Sequence, residues 1–304
     1  MAEMQPVEIG RAATADELLT KFVQATDMNA ILLKDFVSDV CGNPDLLAWA
    51  KELCAVGEPV TDQLCYYEGH ESKPGESFRD QLQRQLQDDL QTCGQDLDRA
   101  SVSAELADGS PGAVKALMKL FDRLMQLLDL CIADGGREEM RWKLKIEVNQ
   151  DGACTKFHDD NVKVRFALVL AGDGTVLHDN SKVDWDFYTS CEGVIPALAE
   201  DPDLTPEKAR KAILQWNQKV CGNEIPTAPG DLSVMKGGRL TKRPCLHRAP
   251  YSAGEGREPA HLLITLDRIP KDELQEFVDM DFGEGAEEDE TMEQPVKRAR
   301  AGPY

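Results

Sequence analysis

The feature that most constrains this fold is a change in hydrophobic period at about residue 141. Before it, apolar side chains recur at helical spacing, most clearly over residues 117–131. After it, residues 142–148 alternate strictly between apolar and charged or polar side chains, as expected for a strand with one buried face. The sequence therefore predicts an α+β fold in which a helical N-terminal part packs on a β core.

The N-terminal region, residues 1–135, is predicted to be helical. Thr14 and Glu17 fit a capping box ahead of an apolar face, and residues 31–40 are predicted to continue as a short helix. The strongest helix is predicted over residues 110–131, with serine as its N-cap and proline at its first position. Its apolar face is interpreted as core packing.

The following region, residues 136–270, is predicted to be a jelly-roll core, a cupin-like double-stranded β-helix. Its short strands are separated by turns rich in Gly, Asp and Pro, which is typical of a sandwich or jelly roll and not of β-α-β units. A helical insert at about residues 203–221 interrupts the strands, and Thr205 is its predicted N-cap.

Acidic residues are concentrated near the C-terminal end of the chain. Residues 279–293 hold eight acidic residues and no basic one, within a net charge of −21. We predict that residues 271–304 form an acidic tail, disordered beyond about residue 280, that recruits a basic protein partner. The basic cluster Lys297–Arg300 is typical of a nuclear-import signal, so the predicted location is cytoplasmic or nuclear.

Charge and cysteine content exclude several classes of protein. A net charge of −21 makes non-specific nucleic-acid binding unlikely and disfavours anionic membrane surfaces. No run of about 18 apolar residues occurs, so no membrane-spanning helix is predicted. The nine cysteines include no Cys-x-x-Cys pair, which excludes a zinc ribbon or thioredoxin motif and favours a reducing intracellular compartment.

Two histidines and one aspartate form the main candidate site. His158 and Asp160 are two residues apart, so both side chains point to one face of an extended segment. His247 can supply a third ligand, with His178 as its main competitor. Two histidines and a carboxylate leave open positions on a metal ion, the arrangement of non-haem Fe(II) oxygenases. Arg257 follows ten residues after His247, where its guanidinium can pair with a carboxylate of a cosubstrate.

Other polar residues are candidates for the surrounding pocket. Arg165 and Lys236 are predicted to line it and to bind an anionic substrate; the alternative for both is a solvated strand edge. Tyr188 is a candidate as a tyrosine in the β-rich half. His261 lies within a predicted strand and is interpreted as a packed core histidine. For the His-x-Asp pair itself, the alternative is a turn at the end of a strand.

The segment from Cys154 to Arg165 resembles the core of the family with domain of unknown function 1826. That family's pattern is Cys-x-x-Phe-His-x-Asp, then Val-x-Arg and a Gly-x-Gly-Thr turn, which residues 172–175 match. Its Gly-Asp-(x)3-Lys-Gly segment is similar to residues 230–237, with one extra residue. Its His-Arg-(Ser/Ala)-Pro, Arg and Leu-Leu-(x)2-Leu-Asp elements are similar to residues 247–267. The resemblance covers roughly residues 25–270 and implies that these positions form one site.

A looser similarity is to the Fe(II)/2-oxoglutarate-dependent oxygenases, whose double-stranded β-helix carries His-x-Asp, a distal His and a following Arg. These four positions are matched in order by His158, Asp160, His247 and Arg257. The resemblance implies that the first three bind Fe(II), that 2-oxoglutarate chelates the metal, and that Arg257 holds the distal carboxylate of the cosubstrate.

Three functions are compatible with these residues, in the following order. The first is a 2-oxoglutarate-dependent oxygenase of the hydroxylase or demethylase type, acting on an unknown substrate. The second is a non-catalytic protein that binds a metal, such as zinc, through the same three residues. The third is an interaction scaffold in which the acidic tail recruits basic proteins.

Overall fold

The structure is a computed structural model, and it describes residues 7–42, 45–56, 63–95, 97, 99, 101–132, 139–149, 154–179, 183–190, 205–220, 223–250 and 261–282. Helices and strands are mixed, which confirms the predicted α+β class. The strands are β1 (Glu8–Arg11), β2 (Ala30–Lys34), β3 (Gln63–Tyr67), β4 (Met140–Asn149), β5 (Val164–Ala171), β6 (Val176–His178), β7 (Glu224–Pro226), β8 (Leu232–Lys236), β9 (His247–Arg248) and β10 (His261–Pro270). The α-helices are α1 (Ala15–Gln24), α2 (Phe36–Cys41), α3 (Asp45–Ala55), α4 (Phe78–Gln95), α5 (Ala104–Ala107), α6 (Pro111–Ile132), α7 (Trp185–Ser190), α8 (Pro206–Val220) and α9 (Leu274–Phe282).

Seven strands form one sheet in the order β1-β2-β8-β5-β10-β4-β3. Neighbouring strands are antiparallel except for β1 and β2, which are parallel. The N-terminal region supplies β1, β2 and β3, so the prediction that it is helical throughout is wrong for these three segments. Both edges of the sheet therefore come from the N-terminal region, and its middle comes from the β-rich half.

Strand β2 replaces the first half of the helix predicted over residues 31–40. Ala30 to Leu33 are fully buried, and a short continuous apolar run fits a strand or a buried helix equally well by periodicity. Antiparallel pairing with β8 decides for the strand. Asp35 then takes a left-handed conformation, with φ of 52°, and α2 begins at the next residue.

One face of the large sheet is covered by helices, and the main hydrophobic core lies between them. Strand β5 shows the alternation that makes this possible, since Val164, Phe166 and Leu168 point into the core. Helix α6 contributes a row of fully buried side chains to the same core, among them Leu117, Leu120 and Phe121. The predicted core role of this helix is confirmed.

Two predicted helix caps differ from the structure. The Thr14 side chain does not cap α1; its hydroxyl accepts from the Arg11 N–H at 3.3 Å and donates to the Arg11 carbonyl at 3.0 Å. At the start of α6, the Ser110 hydroxyl accepts from Trp49 Nε1 at 2.8 Å. The first N–H groups of α6 instead donate to a carboxylate oxygen of Glu105, at 2.6 and 3.0 Å. The capping carboxylate of Glu105 lies seven and eight residues before the N–H groups that it accepts from, outside the spacing of the common N-cap patterns.

The other face of the large sheet is partly covered by a second sheet of three short strands, in the order β7-β6-β9. Leu177 and Cys245 of this small sheet region pack against Leu32, Ala167 and Met235 of the large sheet. A second apolar core thus lies between the two sheets. The strands of the large sheet that carry these residues therefore have two buried faces, one toward the helices and one toward the small sheet.

Helices α7 and α8 lie beside the small sheet and enclose a third apolar cluster. Its buried members include Phe157, Trp216 and Val220, and Tyr188 packs against it. Helix α8 lies where the helical insert is predicted. It reaches the segment that precedes β5, which carries the candidate site.

Residues 271–282 form a 3-10 turn and α9, although the sequence assigns them to the acidic tail. Helix α9 packs on the end of the large sheet, where Val278 lies in a cluster with Tyr67 and Ile269. Residues 283–304, with the basic cluster and most of the acidic segment, lie outside the described residues. Among the helices that the structure describes, none is long and apolar enough to cross a membrane.

Candidate metal centre

The three predicted ligand residues lie together between the two sheets. His158, Asp160 and His247 each present a donor atom, and these three atoms lie within 4.8 Å of one another. Donor atoms around one metal ion at ordinary metal–N and metal–O distances are about 3 Å apart. The described residues therefore bring the three donor atoms close to the spacing of metal ligands.

Backbone pairing sets the positions of the two histidines. His158 and His247 form an isolated antiparallel bridge, in which each N–H donates to the other's carbonyl at 3.0 and 2.9 Å. Residues directly opposite in such a pair project to the same side, and the two ring centroids are 4.5 Å apart. The sequence predicts an extended segment here, and the structure reduces it to one bridge between short stretches of irregular chain.

The same nitrogen is left available on both imidazole rings. His158 Nδ1 lies 2.9 Å from the Lys156 carbonyl, and His247 Nδ1 lies 3.4 Å from the Cys245 carbonyl. Because a carbonyl only accepts hydrogen bonds, each Nδ1 carries a proton, and Nε2 is the nitrogen that offers a lone pair once the ring is neutral. This is the pattern that orients metal-ligating histidines in proteins.

Asp160 supplies a carboxylate with one oxygen engaged and one not. Its Oδ1 accepts from Arg165 Nη1 at 2.5 Å. Its Oδ2 is buried, has no hydrogen-bond partner among the described residues, and lies 3.2 Å from His247 Nε2 without an aligned hydrogen bond. A buried carboxylate oxygen without a hydrogen-bond partner is costly unless a cation lies beside it. The three residues therefore fit a bound metal ion.

Arg165 holds Asp160 in place and is not a free cation. Its guanidinium also contacts Asp267 on the adjacent strand β10, with Nε at 3.0 Å from Oδ1 and Nη2 at 2.8 Å from Oδ2. Strand β5 is central in the sheet, so the alternative of a solvated strand edge is wrong for Arg165. The guanidinium is paired with two carboxylates, and these contacts orient Asp160 as a candidate metal ligand.

The charges at the site favour a cation. Burial would raise the pKa of Asp160, but the charges of Arg165 and His247 outweigh it and hold that pKa well below its usual range. Burial would lower the pKa of His158, but the hydrogen bond and charge of Cys154, with the charge of Asp160, raise that pKa to about 9. Both shifts favour positive charge beside Asp160, which is the charge that a metal ion would supply.

Cys154 lies beside His158, a contact that the sequence does not predict. Burial would raise the pKa of its thiol, but the hydrogen bond with His158 and the nearby charges lower it. The family pattern includes this cysteine, and its spacing from the histidine alone did not indicate contact.

The other predicted pocket residues lie in three different places. His178 is one residue beyond Leu177, which pairs with His247, so its side chain projects to the opposite face of the small sheet and packs edge-on to Phe157. Tyr188 donates from its hydroxyl to Asp159 Oδ1 at 2.5 Å, next to the candidate ligands. Arg257 lies outside the described residues.

Lys236 does not line the site between the sheets. It follows Val234 by two residues and therefore faces the helices, where its ammonium group donates to the Ala25 carbonyl and lies 4.7 Å from the centre of the Phe22 ring. Its alternative as a solvated edge residue is also wrong, since it is buried in an interior strand. Alternation of side chains along β8 points Lys236 toward the helices, away from both the site and the solvent.

Two further contacts at the segment were not predicted. Asn217 of α8 bonds to the backbone on both sides of Lys156. The turn after β8 approaches from the other direction: Gly238 N donates to the Asp160 carbonyl at 2.8 Å. A Cβ atom on Gly237 would lie 2.2 Å from the Val162 carbonyl oxygen and 2.6 Å from that of Asp160, so only glycine fits there.

Comparisons with known proteins place the sequence in one family. The family described as "Protein of unknown function (DUF1826)" matches residues 63–267. Among the curated proteins that were compared, none matches the chain.

Several solved structures are similar over most of their length. AtDAO1, a dioxygenase for auxin oxidation from Arabidopsis thaliana solved with 2-oxoglutarate, has a TM-score of 0.42 and 10% identity, covering 87% of this chain and 92% of its own. A prolyl hydroxylase from Trichoplax adhaerens, in complex with a peptide fragment of hypoxia inducible factor, has a TM-score of 0.38 and 10% identity, covering 86% and 94%. IDO from Bacillus thuringiensis has a TM-score of 0.43 and 8% identity, covering 85% and 96%. With TM-scores below 0.5, these likenesses assign neither fold nor function.

Proposed function

This chain belongs to the DUF1826 family, and we propose that it is a non-haem Fe(II)- and 2-oxoglutarate-dependent oxygenase whose metal is held by His158, Asp160 and His247. One observation carries the proposal: three donor atoms from two distant segments converge within 4.8 Å, and one is a buried carboxylate oxygen that has no hydrogen-bond partner in the described part of the chain. Three protein ligands on one side of an octahedral ion leave positions for a cosubstrate and dioxygen.

The residues around the ligands have separate tasks in this proposal. Bound Fe(II) with 2-oxoglutarate would supply the oxidising chemistry. Arg165 fixes the orientation of Asp160 and keeps it ionised, while the Lys156 and Cys245 carbonyls hold both imidazoles with Nε2 toward the metal. The apolar residues between the sheets limit access of water to the site.

We further propose that the two sheets form a double-stranded β-helix. Successive strands of the β-rich half alternate between the sheets: β4 and β5 lie in the large sheet, β6 and β7 in the small one, β8 in the large, β9 in the small and β10 in the large. The His158 bridge to β9 adds the remaining stretch to the small sheet. This alternation supports the predicted core over residues 136–270, to which β1, β2 and β3 add further strands.

Fewer residues can be named for binding the cosubstrate and the substrate than for binding the metal. Arg257 stays the predicted partner of the distal carboxylate of 2-oxoglutarate. Arg165 is occupied by two carboxylates and Lys236 faces the helices, so the cation for an anionic substrate is expected from another residue. Of the predicted pocket residues, Arg165 bonds to the proposed ligand Asp160 itself, and Tyr188 bonds to the neighbouring Asp159.

The test is anaerobic addition of Fe(II) and 2-oxoglutarate to the purified protein. We expect a visible metal-to-ligand charge-transfer band, and formation of succinate once oxygen is admitted. His247→Ala should abolish both signals, and His70→Ala, outside the proposed ligand set, should leave them intact. Absence of both band and succinate from the unaltered protein would contradict the oxygenase.

A zinc-binding protein is the second candidate, and the position of Cys154 favours it. Its thiol contacts His158, and zinc accepts sulfur, nitrogen and oxygen ligands. This candidate predicts tight zinc binding that is lost in His158→Ala, with no turnover of 2-oxoglutarate. Metal content of the protein, measured before and after addition of each ion, separates the two candidates.

The predicted interaction between the acidic tail and a basic protein partner stays a separate proposal. Helix α9 extends to Phe282, so a deletion that tests the tail should begin at residue 283. Such a deletion should abolish capture of a basic partner if the tail recruits it, whereas His247→Ala should leave capture unchanged.

A further inference from the structure

Among the residues that the structure describes, the segment that carries His158, residues 155–158, has a strand partner on one side, which is β9. Its bridge to His247 supplies hydrogen bonds from β9. On the other side, where a sheet would continue with another strand, the structure has helix α8. A segment held by one bridge alone would leave its remaining N–H and carbonyl groups without partners in a buried site.

Asn217 of α8 occupies that second side. Its Oδ1 accepts from the Phe157 N–H at 2.9 Å, and its Nδ2 donates to the Thr155 carbonyl at 2.7 Å. One amide side chain thereby offers the acceptor and the donor that a neighbouring strand would offer. The side chain is buried, with 2% of its surface exposed, so water does not compete for these bonds.

The helix around Asn217 is itself fixed against the segment. Trp216 and Val220 pack in one cluster with Phe157, and Lys156 Nζ lies 4.6 Å from the centre of the Trp216 ring. Contacts on both sides of Asn217 therefore set the distance between α8 and the segment.

The two bonded groups lie on either side of Lys156, whose carbonyl faces His158 Nδ1 at 2.9 Å. Fixing residues 155 and 157 fixes the peptide between them, and this peptide sets the tautomer and the ring orientation of His158. We propose that Asn217 is a positioning residue that holds His158 in its metal-binding orientation by substituting for a missing strand. The inference rests on the proposed metal centre, and it assigns a role to the helical insert.

The experiment compares Asn217→Ala and Asn217→Asp with Gln218→Ala, an exposed neighbour on the same helix. Co(II) serves as the probe because its visible absorption reports ligand geometry as well as occupancy. Loss of such outer contacts typically weakens metal binding about 10- to 100-fold. We expect both Asn217 variants to show that loss together with an altered Co(II) spectrum, and Gln218→Ala to match the unaltered protein.

Amide hydrogen exchange at Phe157, measured without metal, is the second readout. Asn217→Ala should accelerate it at least tenfold while the core strands stay protected. If Asn217→Ala does not fold, Asn217→Asp decides, because it keeps the side-chain size and loses the donor to Thr155. Co(II) affinity within twofold of the unaltered protein, with unchanged exchange at Phe157, would overturn the proposal. If the unaltered protein binds no Co(II), the metal centre fails, and the exchange result alone still decides whether Asn217 holds the segment.

Discussion

At the scale of single residues, the candidate site depends on a buried ionic chain. Asp160, Arg165 and Asp267 are linked by short hydrogen bonds, and the Asp267 side chain is only 1% exposed. Buried charges are tolerated when each has a partner and become costly when one partner is removed. These ion pairs therefore fix the orientation of the carboxylate ligand. Loss of any one of the three charges would leave a buried charge without its partner and destabilise the fold.

Arg165→Met should destabilise the protein by about 3–5 kcal/mol, since it leaves two buried carboxylates without a partner. Urea unfolding measures this loss. Adding Asp267→Asn should recover part of it, because the unpaired charge is removed. Arg239→Met is the control: its pair with Glu273 is more exposed and should contribute less than about 1 kcal/mol. Equal losses in the two Arg variants would contradict the assigned role.

Metal affinity should depend on pH through His158. Its pKa is raised from 6.5 to about 9, so its contribution to the stability of the metal-free protein is complete below pH 6.5 and lost as the pH rises through 9. A metal must displace this proton, so Co(II) affinity should rise about tenfold per pH unit between about pH 7 and 8.5. The pKa values of His178 and His261 are lowered by burial, which keeps both outside this window. Co(II) titrations at three pH values test the slope, and a flat profile would exclude a protonated His158.

The candidate metal ligands were easier to predict from the sequence than the residues that hydrogen-bond to them. His158 and Asp160 were predicted because spacing alone puts two side chains on one face. The sequence predicts that Arg165 binds substrate, whereas the structure pairs it with Asp267. This pairing depends on the register between β5 and β10, which no local sequence pattern contains. His178 was a competitor until strand pairing showed which face it occupies.

At the scale of secondary structure, long periodic elements were predictable and short buried ones were not. Helix α6 and strand β4 carry clear periods over many residues. Strand β2 has four consecutive buried apolar residues, which carry no period, so only its partner β8 identifies it. Strand β9 has two residues and gives no sequence signal, yet it carries His247.

The turn after β8 should tolerate no side chain at Gly237. In Gly237→Ala, the new Cβ would meet two backbone carbonyls, which cannot move as a flexible side chain can. We expect a loss of stability of about 1–3 kcal/mol and weaker Co(II) binding, because the Asp160 backbone is displaced. Gly42→Ala is a useful control: φ of 64° makes it strained, but open space surrounds it, so it should lose stability without losing Co(II) affinity. Unchanged Co(II) affinity in Gly237→Ala would contradict the effect on Asp160.

At the scale of the whole molecule, the large sheet joins regions that the sequence presented as separate. A predicted boundary near residue 135 would cut between β3 and β4, which are paired neighbours. At the other end, α9 is tied to the same sheet by the ion pair of Lys143 with Asp281 at 2.8 Å. The sequence of these segments shows their charge and their hydrophobic period. It does not show that β3 pairs with β4 or that Asp281 pairs with Lys143.

Truncation separates the packed helix from the acidic residues beyond it. Deleting residues 283–304 should leave the thermal unfolding midpoint unchanged. Deleting residues 271–304 should cost at least about 2 kcal/mol, because it exposes Tyr67 and Ile269 and removes Asp281 from Lys143. Thermal unfolding of both truncated proteins provides the comparison. Equal midpoints would show that α9 does not stabilise the sheet.

The central position of β10 has a consequence for how the protein is made. This strand is the last of the described strands in the chain, and it lies between β5 and β4. Until the ribosome has released it, the growing chain holds two separate parts of a sheet, β1-β2-β8-β5 and β4-β3, each with an open edge. Asp267, which completes the ionic chain behind Asp160, arrives with the same strand. A nascent chain is therefore exposed to wrong pairing until β10 emerges, and chaperone demand should peak just before that point.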